Sequence, residues 1–258
     1  MKVKRTENSG MALDFDQVAL LHEVGSALYD AGVARFWGAI FTAVSVGLRK
    51  AEVMGLRWQD VNLEQGILQI RHTAISHRGQ PIREEVTKTS HSRRDVQIPP
   101  SLKALLNNHR EAQALEKFNA GDAWTETGAV FATLTGAWTH PDNLNRALTS
   151  LLGWLEPQGL ETRLRGVPVE HRAKLKAIVQ DGQPFPRISP HDLRHTAGTL
   201  MLRKNVPVEV VSKTLGHADI SITYKVYRHV LESEKREHVV DLFDHIPPKR
   251  VFESAIVN

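Results

Sequence analysis

The stretch ILQIRHTAISHRGQPIREEVTKTSHSRRDVQIPP, residues 67–100, decides the fold class of this chain. Helical spacing of apolar residues stops here. Three short β-leaning runs take its place, at 67–75, 81–89 and 93–100. His77 to Gln80 and Ser90 to Ser92 supply the turn residues between them. The pattern predicts a small three-stranded antiparallel sheet that ends at Pro99 and Pro100. The same stretch carries charge. From Arg71 to Arg94 six basic residues (Arg71, Arg78, Arg83, Lys88, Arg93, Arg94) stand against two acidic ones, Glu84 and Glu85. That excess equals the formal net charge of the whole chain, +4 over 258 residues. A local basic excess suits a polyanion, although a solvated surface hairpin gives the same count.

Outward from the sheet the chain reads as helical. Upstream, Val18, Leu21, Val24 and Leu28 form a stripe from Asp16 to Ala31, with Asp14 or Asp16 as cap. A more apolar helix follows over 34–46, and a short one over 48–58. Downstream, Pro99 and Pro100 open a helix with Leu102, Leu105 and Leu106. Residues 129–133 suit a short extended piece, and 143–155 a helix with Leu144, Leu148, Leu151 and Leu152 on one side. Residues 156–188 are polar, hold four prolines, and admit a short helix over 169–179. Ser189, Pro190 and Asp192 mark a helix start: an N-cap, a proline at the first helical position and a capping-box acid. That helix runs to about Lys204. Asn205 takes the left-handed end position, and Pro207 opens a helix closed by Gly216. Another helix follows Asp219, and an amphipathic tail helix spans 232–244 with Val239, Val240, Leu242 and Phe243 on its apolar face. The expected class is therefore mainly α (α+β), helical with one small three-stranded antiparallel β-sheet, and not a doubly wound parallel sheet.

Composition excludes several chemistries. There is no cysteine, so disulfide scaffolds, thiolate zinc fingers and cysteine nucleophiles drop out. No apolar run approaches the ~20 residues of a membrane span, and residues 1–10 lack the apolar core of a signal peptide. A soluble cytoplasmic protein with no membrane partner is expected.

Four groups of residues can carry chemistry. His191 and Arg194 lie three apart at a helix start, which puts a movable proton and a guanidinium fork beside free N–H groups. That set suits one phosphate; a helix-start His and a surface Arg are the plainer reading. His191 and His195 have the i, i+4 spacing of a helical zinc pair, but Asp192 stands where a zincin has Glu, and no third ligand is evident. Arg49 and Glu52 suit an i, i+3 ion pair. After Leu215-Gly216-His217 come Tyr224 and Tyr227. A phenol has a pKa of about 10 and becomes a nucleophile when cations stabilise its phenolate, though a tyrosine on a late helix is usually a packing residue.

Taken in order, VGLRKAEVMGLRWQDV (46–61), TKTSHSRRDVQIP (87–99), SPHDLRHTAGTLML (189–202) and LGHADISITYKVYRHV (215–230) resemble the tyrosine recombinase, or phage integrase, family over roughly residues 14–245. The resemblance implies a site-specific DNA recombinase that cuts and rejoins DNA through a 3′-phosphotyrosyl link. It implies that Arg49 and Arg194 clamp the scissile phosphate, with His191 in the His-x-x-Arg box and His217 as second histidine. Lys88 would protonate the leaving 5′ oxygen, Tyr227 would be the nucleophile, and Glu52 would support Arg49. Tyr224 has no role in the family pattern. The non-bridging oxygens gather charge in the transition state, and fixed cations stabilise it without metal, cofactor or ATP. His191 is the preferred group to deprotonate Tyr227. Double-stranded DNA is the implied partner, with Arg71, Arg78, Arg83, Arg93 and Arg94 as the candidate DNA-binding set. A homotetramer on DNA and a monomer without it are expected, in a prokaryote or a phage.

The same resemblance divides the chain into a linker or truncated arm (1–13), a catalytic domain (14–245) and a tail (246–258). Within the domain, 156–186 is an expected insertion and 232–244 the helix that docks on a neighbouring subunit or on its own domain. The family's separate core-binding domain has no counterpart in this sequence, either because the chain is a catalytic-domain fragment or because the natural protein lacks it; DNA affinity is then expected to be weaker than for a complete clamp, because fewer phosphates are neutralised. The rivals are a type IB topoisomerase, a catalytically inactive DNA-binding relative and, more remotely, a zinc hydrolase at His191 and His195.

Overall fold

The computed structural model describes residues 11–76, 83–86, 93–180 and 185–237, with backbone only at 83–86, 180, 229 and 232–237. The expected turns at 77–80 and 90–92, Arg78, Lys88 and the apolar face at 239–243 lie outside the described residues.

Helix α1 (Phe15–Asp30) starts where the sequence sets it. The Asp14 carboxylate accepts from the Gln17 N–H at 2.8 Å, and the Gln17 side chain accepts from the Asp14 N–H at 3.0 Å. Two otherwise unpaired donors are thereby satisfied. α1 buries Leu21, Val24 and Leu28 against α2 (Trp37–Val46), whose side chains are nearly all buried. Trp37 lies flat on Gly25, where an added Cβ would fall 2.3 Å from its ring. α2 ends at Gly47 in the left-handed region, φ 68°, and the chain turns at once into the one-turn helix α3 (Lys50–Met54).

The sheet is antiparallel and three-stranded as expected, but its members differ. Its strands are β1 (Val61–Asn62), β2 (Ile67–Ile70) and β5 (Arg94–Gln97), in the order β1-β2-β5. The run 67–75 does not stay one strand. It splits at Arg71, and β3 (His72–Ile75) pairs with β4 (Arg83–Val86) as a separate two-stranded ladder. Leu68, Ile70 and Val96 turn inward, so β2 and β5 are fixed by burial of one face. Ala129 makes only an isolated bridge to Arg57, so the extended piece expected at 129–133 is no strand.

The remaining helices are α4 (Pro100–Ala120), α5 (Asp142–Trp154), α6 (Leu160–Leu164), α7 (Val169–Gln180), α8 (Pro190–Arg203), α9 (Val208–Leu215) and α10 (Ile220–Glu237). α6 and α7 lie within the stretch read as polar. Their Leu160, Leu164, Leu175 and Val179 join the main core, and α7 packs on α1. The break expected before residue 232 falls earlier: α10 (Ile220–Glu237) is two helical segments joined at a kink, whose non-helical residue is Tyr227 (φ −107°, ψ 16°). α8 is the central strut. It packs on α2 on one side and on α9 and α10 on the other. It also holds the start of the described chain, because the Leu13 N–H donates to Thr196 and the Met11 N–H to Asp192, both at 3.0 Å. α8, α9 and α10 share a second, smaller apolar cluster of Leu202, Val211, Leu215, Tyr227 and Val230. No helix among the described residues is long and apolar enough to cross a membrane.

Candidate active site

Three helix ends converge on one pocket: the turn from α2 into α3, the first turns of α8, and the turn from α9 into α10. The pocket holds about 380 Å³, and its walls include Arg49, His191, Arg194, His195, Gly216, His217 and Tyr227. The fold thus gathers Arg49, His191, Arg194, His217 and Tyr227 from positions as far apart as 49 and 227. Lys88 lies outside the described residues.

Arg194 is the most enclosed of the cations, 4% exposed. It stands on α8 one turn past the Ser189 cap, whose hydroxyl accepts from the Asp192 N–H while the Asp192 carboxylate takes the Ser189 N–H at 2.8 Å. Its Nη1 donates to the Gly47 carbonyl at 2.8 Å. Its Nη2 is buried with no hydrogen-bond partner among the described residues. Burial first, then the Arg49 charge, lowers its pKa to about 10. A buried guanidinium with a free edge is the arrangement an oxoanion completes.

Arg49 is more open, its side chain 43% exposed. Its Nη1 donates to the Glu52 carboxylate at 2.8 Å and its Nη2 to the Gly216 carbonyl at 3.1 Å. Its own backbone N–H donates to the other Glu52 oxygen at 2.8 Å. Glu52 is 2% exposed. Burial pushes its carboxyl up, but the hydrogen bonds and charges of Arg94 and Arg49 outweigh that and hold it below the usual range.

His217 follows the left-handed Gly216 that ends α9. Its Nδ1 lies 2.8 Å from the Oγ1 of the fully buried Thr223. Burial first, then Arg194, Arg49 and Arg94, push its pKa down to about 4. The ring is therefore neutral at pH 7, and when Nδ1 accepts from Thr223 its proton sits on Nε2. His191 is exposed at the second helical position of α8, its ring edge-on to His195 at 4.5 Å. Among the described residues no third ligand completes a metal site beside this pair.

Tyr227 is 2% exposed, and burial pushes its pKa up to about 12, against the opposing pull of Arg194. Its ring stands 6.0 Å from that of His195. Tyr224, one turn earlier, is 47% exposed and does not line the pocket.

The basic set reads differently once folded. Arg71 pairs with Asp95 at 2.6 Å, and Arg93 is exposed. Arg94, expected to face DNA, turns inward, its side chain 7% exposed and doubly bonded to Glu52. The charge arithmetic missed this because Glu52 lies far outside 71–94. Arg83 lies in β4 and Arg78 outside the described residues. Sequence reasoning also missed Thr223, and weighed His195 only as a zinc ligand.

The phage integrase family model matches residues 12–234. A tyrosine recombinase XerC-like protein of Caldanaerobacter subterraneus subsp. tengcongensis is 32% identical over 213 residues, 78% of this chain and 47% of that protein. An integrase of Streptomyces ambofaciens is 29% identical over 73% of this chain and 43% of its own length. The chain thus spans less than half of each of these relatives. Among solved structures, the Tn1549 transposon integrase in complex with transposon right end DNA superposes with a TM-score of 0.63 at 14% identity, over 92% of this chain and 68% of that one. The XerA recombinase gives 0.59 at 17% identity, over 90% and 66%. At these identities the likeness concerns the fold.

Proposed function

The chain belongs to the phage integrase family, and from that premise we propose that it is a site-specific recombinase that breaks and rejoins double-stranded DNA through Tyr227. The observation that carries this reading is the free Nη2 edge of buried Arg194, in the same pocket as Arg49, His217 and Tyr227. A backbone phosphate seated there receives donors from both arginines and from the neutral His217. The Tyr227 oxygen attacks phosphorus, the P–O5′ bond breaks, and the phenolic proton leaves. His191 is the expected acceptor of that proton, and the His195 ring stands 4.5 Å from that of His191 and 6.0 Å from that of Tyr227. Lys88 is assigned to return a proton to the 5′ oxygen. The phosphodiester energy is kept in the phosphotyrosine, so religation by a 5′-hydroxyl reverses the steps.

Tyr227 is enclosed, and burial pushes its pKa up to about 12. Cleavage therefore requires the side chain to leave its apolar cluster, and the non-helical geometry at residue 227 gives α10 a point at which to turn. Assembly into a tetramer on DNA is part of the proposal.

The test is covalent trapping. The protein is incubated in EDTA with nicked suicide substrates carrying candidate sites. A covalent adduct is expected for the unaltered chain and for Tyr224→Phe, and none for Tyr227→Phe. An adduct that persists in Tyr227→Phe, or that requires metal, overturns the assignment.

A further inference from the structure

We propose that Arg94 is a positioning residue for strand cleavage: it sets Glu52, and through Glu52 the Arg49 guanidinium, against the turn that carries His217. The proposal rests on the recombinase reading above.

The geometry is a closed ring. Arg94 Nη1 and Nη2 donate to the two Glu52 oxygens at 3.0 and 2.9 Å. The same carboxylate takes the Arg49 Nη1 and the Arg49 backbone N–H. Arg49 Nη2 reaches the Gly216 carbonyl, and Arg94 Nε donates to the Thr214 carbonyl at 2.7 Å, which closes the loop. Gly216 lies directly under the Arg94 guanidinium: a Cβ there would fall 2.7 Å from Nη1 and 2.9 Å from Cζ. Arg94 therefore joins strand β5, the α3 turn and the end of α9 at one point. A guanidinium fork bridges a carboxylate in fixed geometry, which a lysine ammonium cannot do. Its 7% exposure contrasts with 43% for the Arg49 side chain, which opens to the pocket.

A DNA contact and a positioning role predict different measurements. With the 258-residue chain and suicide DNA at saturation, Arg94→Met is expected to slow adduct formation by about 100-fold, the cost of a misplacement of about 1 Å. The DNA dissociation constant and its salt dependence should stay unchanged. The loss should not add to that of Glu52→Gln, because both break the same ring. Arg94→Lys keeps the charge and the stem, so it is the variant to use if Arg94→Met does not fold; it too should lose rate with an unchanged salt slope. A salt slope reduced by about one, additive losses with Glu52→Gln, or an undiminished rate in these variants overturns the proposal. If the unaltered chain forms no adduct, the recombinase reading fails and this proposal falls with it. An adduct that ignores Arg94 overturns this proposal alone.

Discussion

Tyr227 lies so close to Gly198 that a Cβ at residue 198 would stand 2.2 Å from the phenolic oxygen and 2.4 Å from Cζ. Gly198 sits inside α8 with no backbone need to be glycine, so alanine there would by helix propensity add up to about 1 kcal/mol of stability. The overlap with Tyr227 reverses the sign, since overpacking a filled site costs about 1–3 kcal/mol. Gly198→Ala is expected to lower the melting temperature and to raise the reactivity of Tyr227 toward tetranitromethane. A higher melting temperature would show that Tyr227 does not rest there.

On the proposed reading, Arg194 makes the pocket a seat for oxoanions. Sulfate or orthovanadate should raise the melting temperature by completing the free Nη2 edge. A ligand at 100 times its dissociation constant adds about 2.7 kcal/mol, which for a chain of this size is a shift of several degrees. Arg194→Gln should remove the effect. A shift that survives the substitution would place the anion elsewhere.

His217 couples folding to pH. Its folded pKa is about 4 and its ordinary value 6.5. Between those values the unfolded chain binds a proton that the folded chain refuses. Its contribution to stability is therefore complete above pH 6.5 and is lost as pH falls toward 4. His217→Gln should flatten that part of the stability curve. An anion in the pocket offsets the arginine charges, so the His217 titration followed by NMR should move upward when sulfate is added. A midpoint at or above 6.5 in the anion-free protein would contradict the burial described here.

Asp192 closes the capping box and also receives the Met11 N–H. Loss of the Ser189 hydroxyl alone should cost about 1 kcal/mol. Asp192→Ala removes both contacts and should cost more than Ser189→Ala in urea denaturation. The reverse order would mean that the strap to residue 11 contributes nothing.

What the sequence made legible was mostly local. Asp14 with Gln17, Ser189 with Asp192, and the left-handed ends at Asn205 (φ 58°) and Gly216 are settled within one helical turn. The motifs at Arg49, His191, Arg194, His217 and Tyr227 were legible as a family pattern, and the fold does bring them to one pocket. Long-range pairings were not legible. β1 is two residues long and carries no periodicity. The split of 67–75 at Arg71 depends on which partner lies opposite each half. Counting charges along 71–94 treats Arg94 as one more surface cation, because nothing in that window announces a buried carboxylate at 52. Gly198 was visible in the sequence as a glycine inside a helix, but only the fold shows the ring that needs the space.

Three arginines around the pocket rest on main-chain oxygens: Arg194 on Gly47, Arg49 on Gly216 and Arg94 on Thr214. Every codon encodes a carbonyl, so no substitution at 47, 214 or 216 deletes these acceptors. Only a change of backbone path moves them, and the turns at Gly47 and Gly216, with φ of 68° and 67°, admit few other residues. The proposed anion seat is thus shielded from substitution at its own supports. A directed-evolution library meant to retune it would find its useful variation in Glu52, Thr223 and the cations themselves.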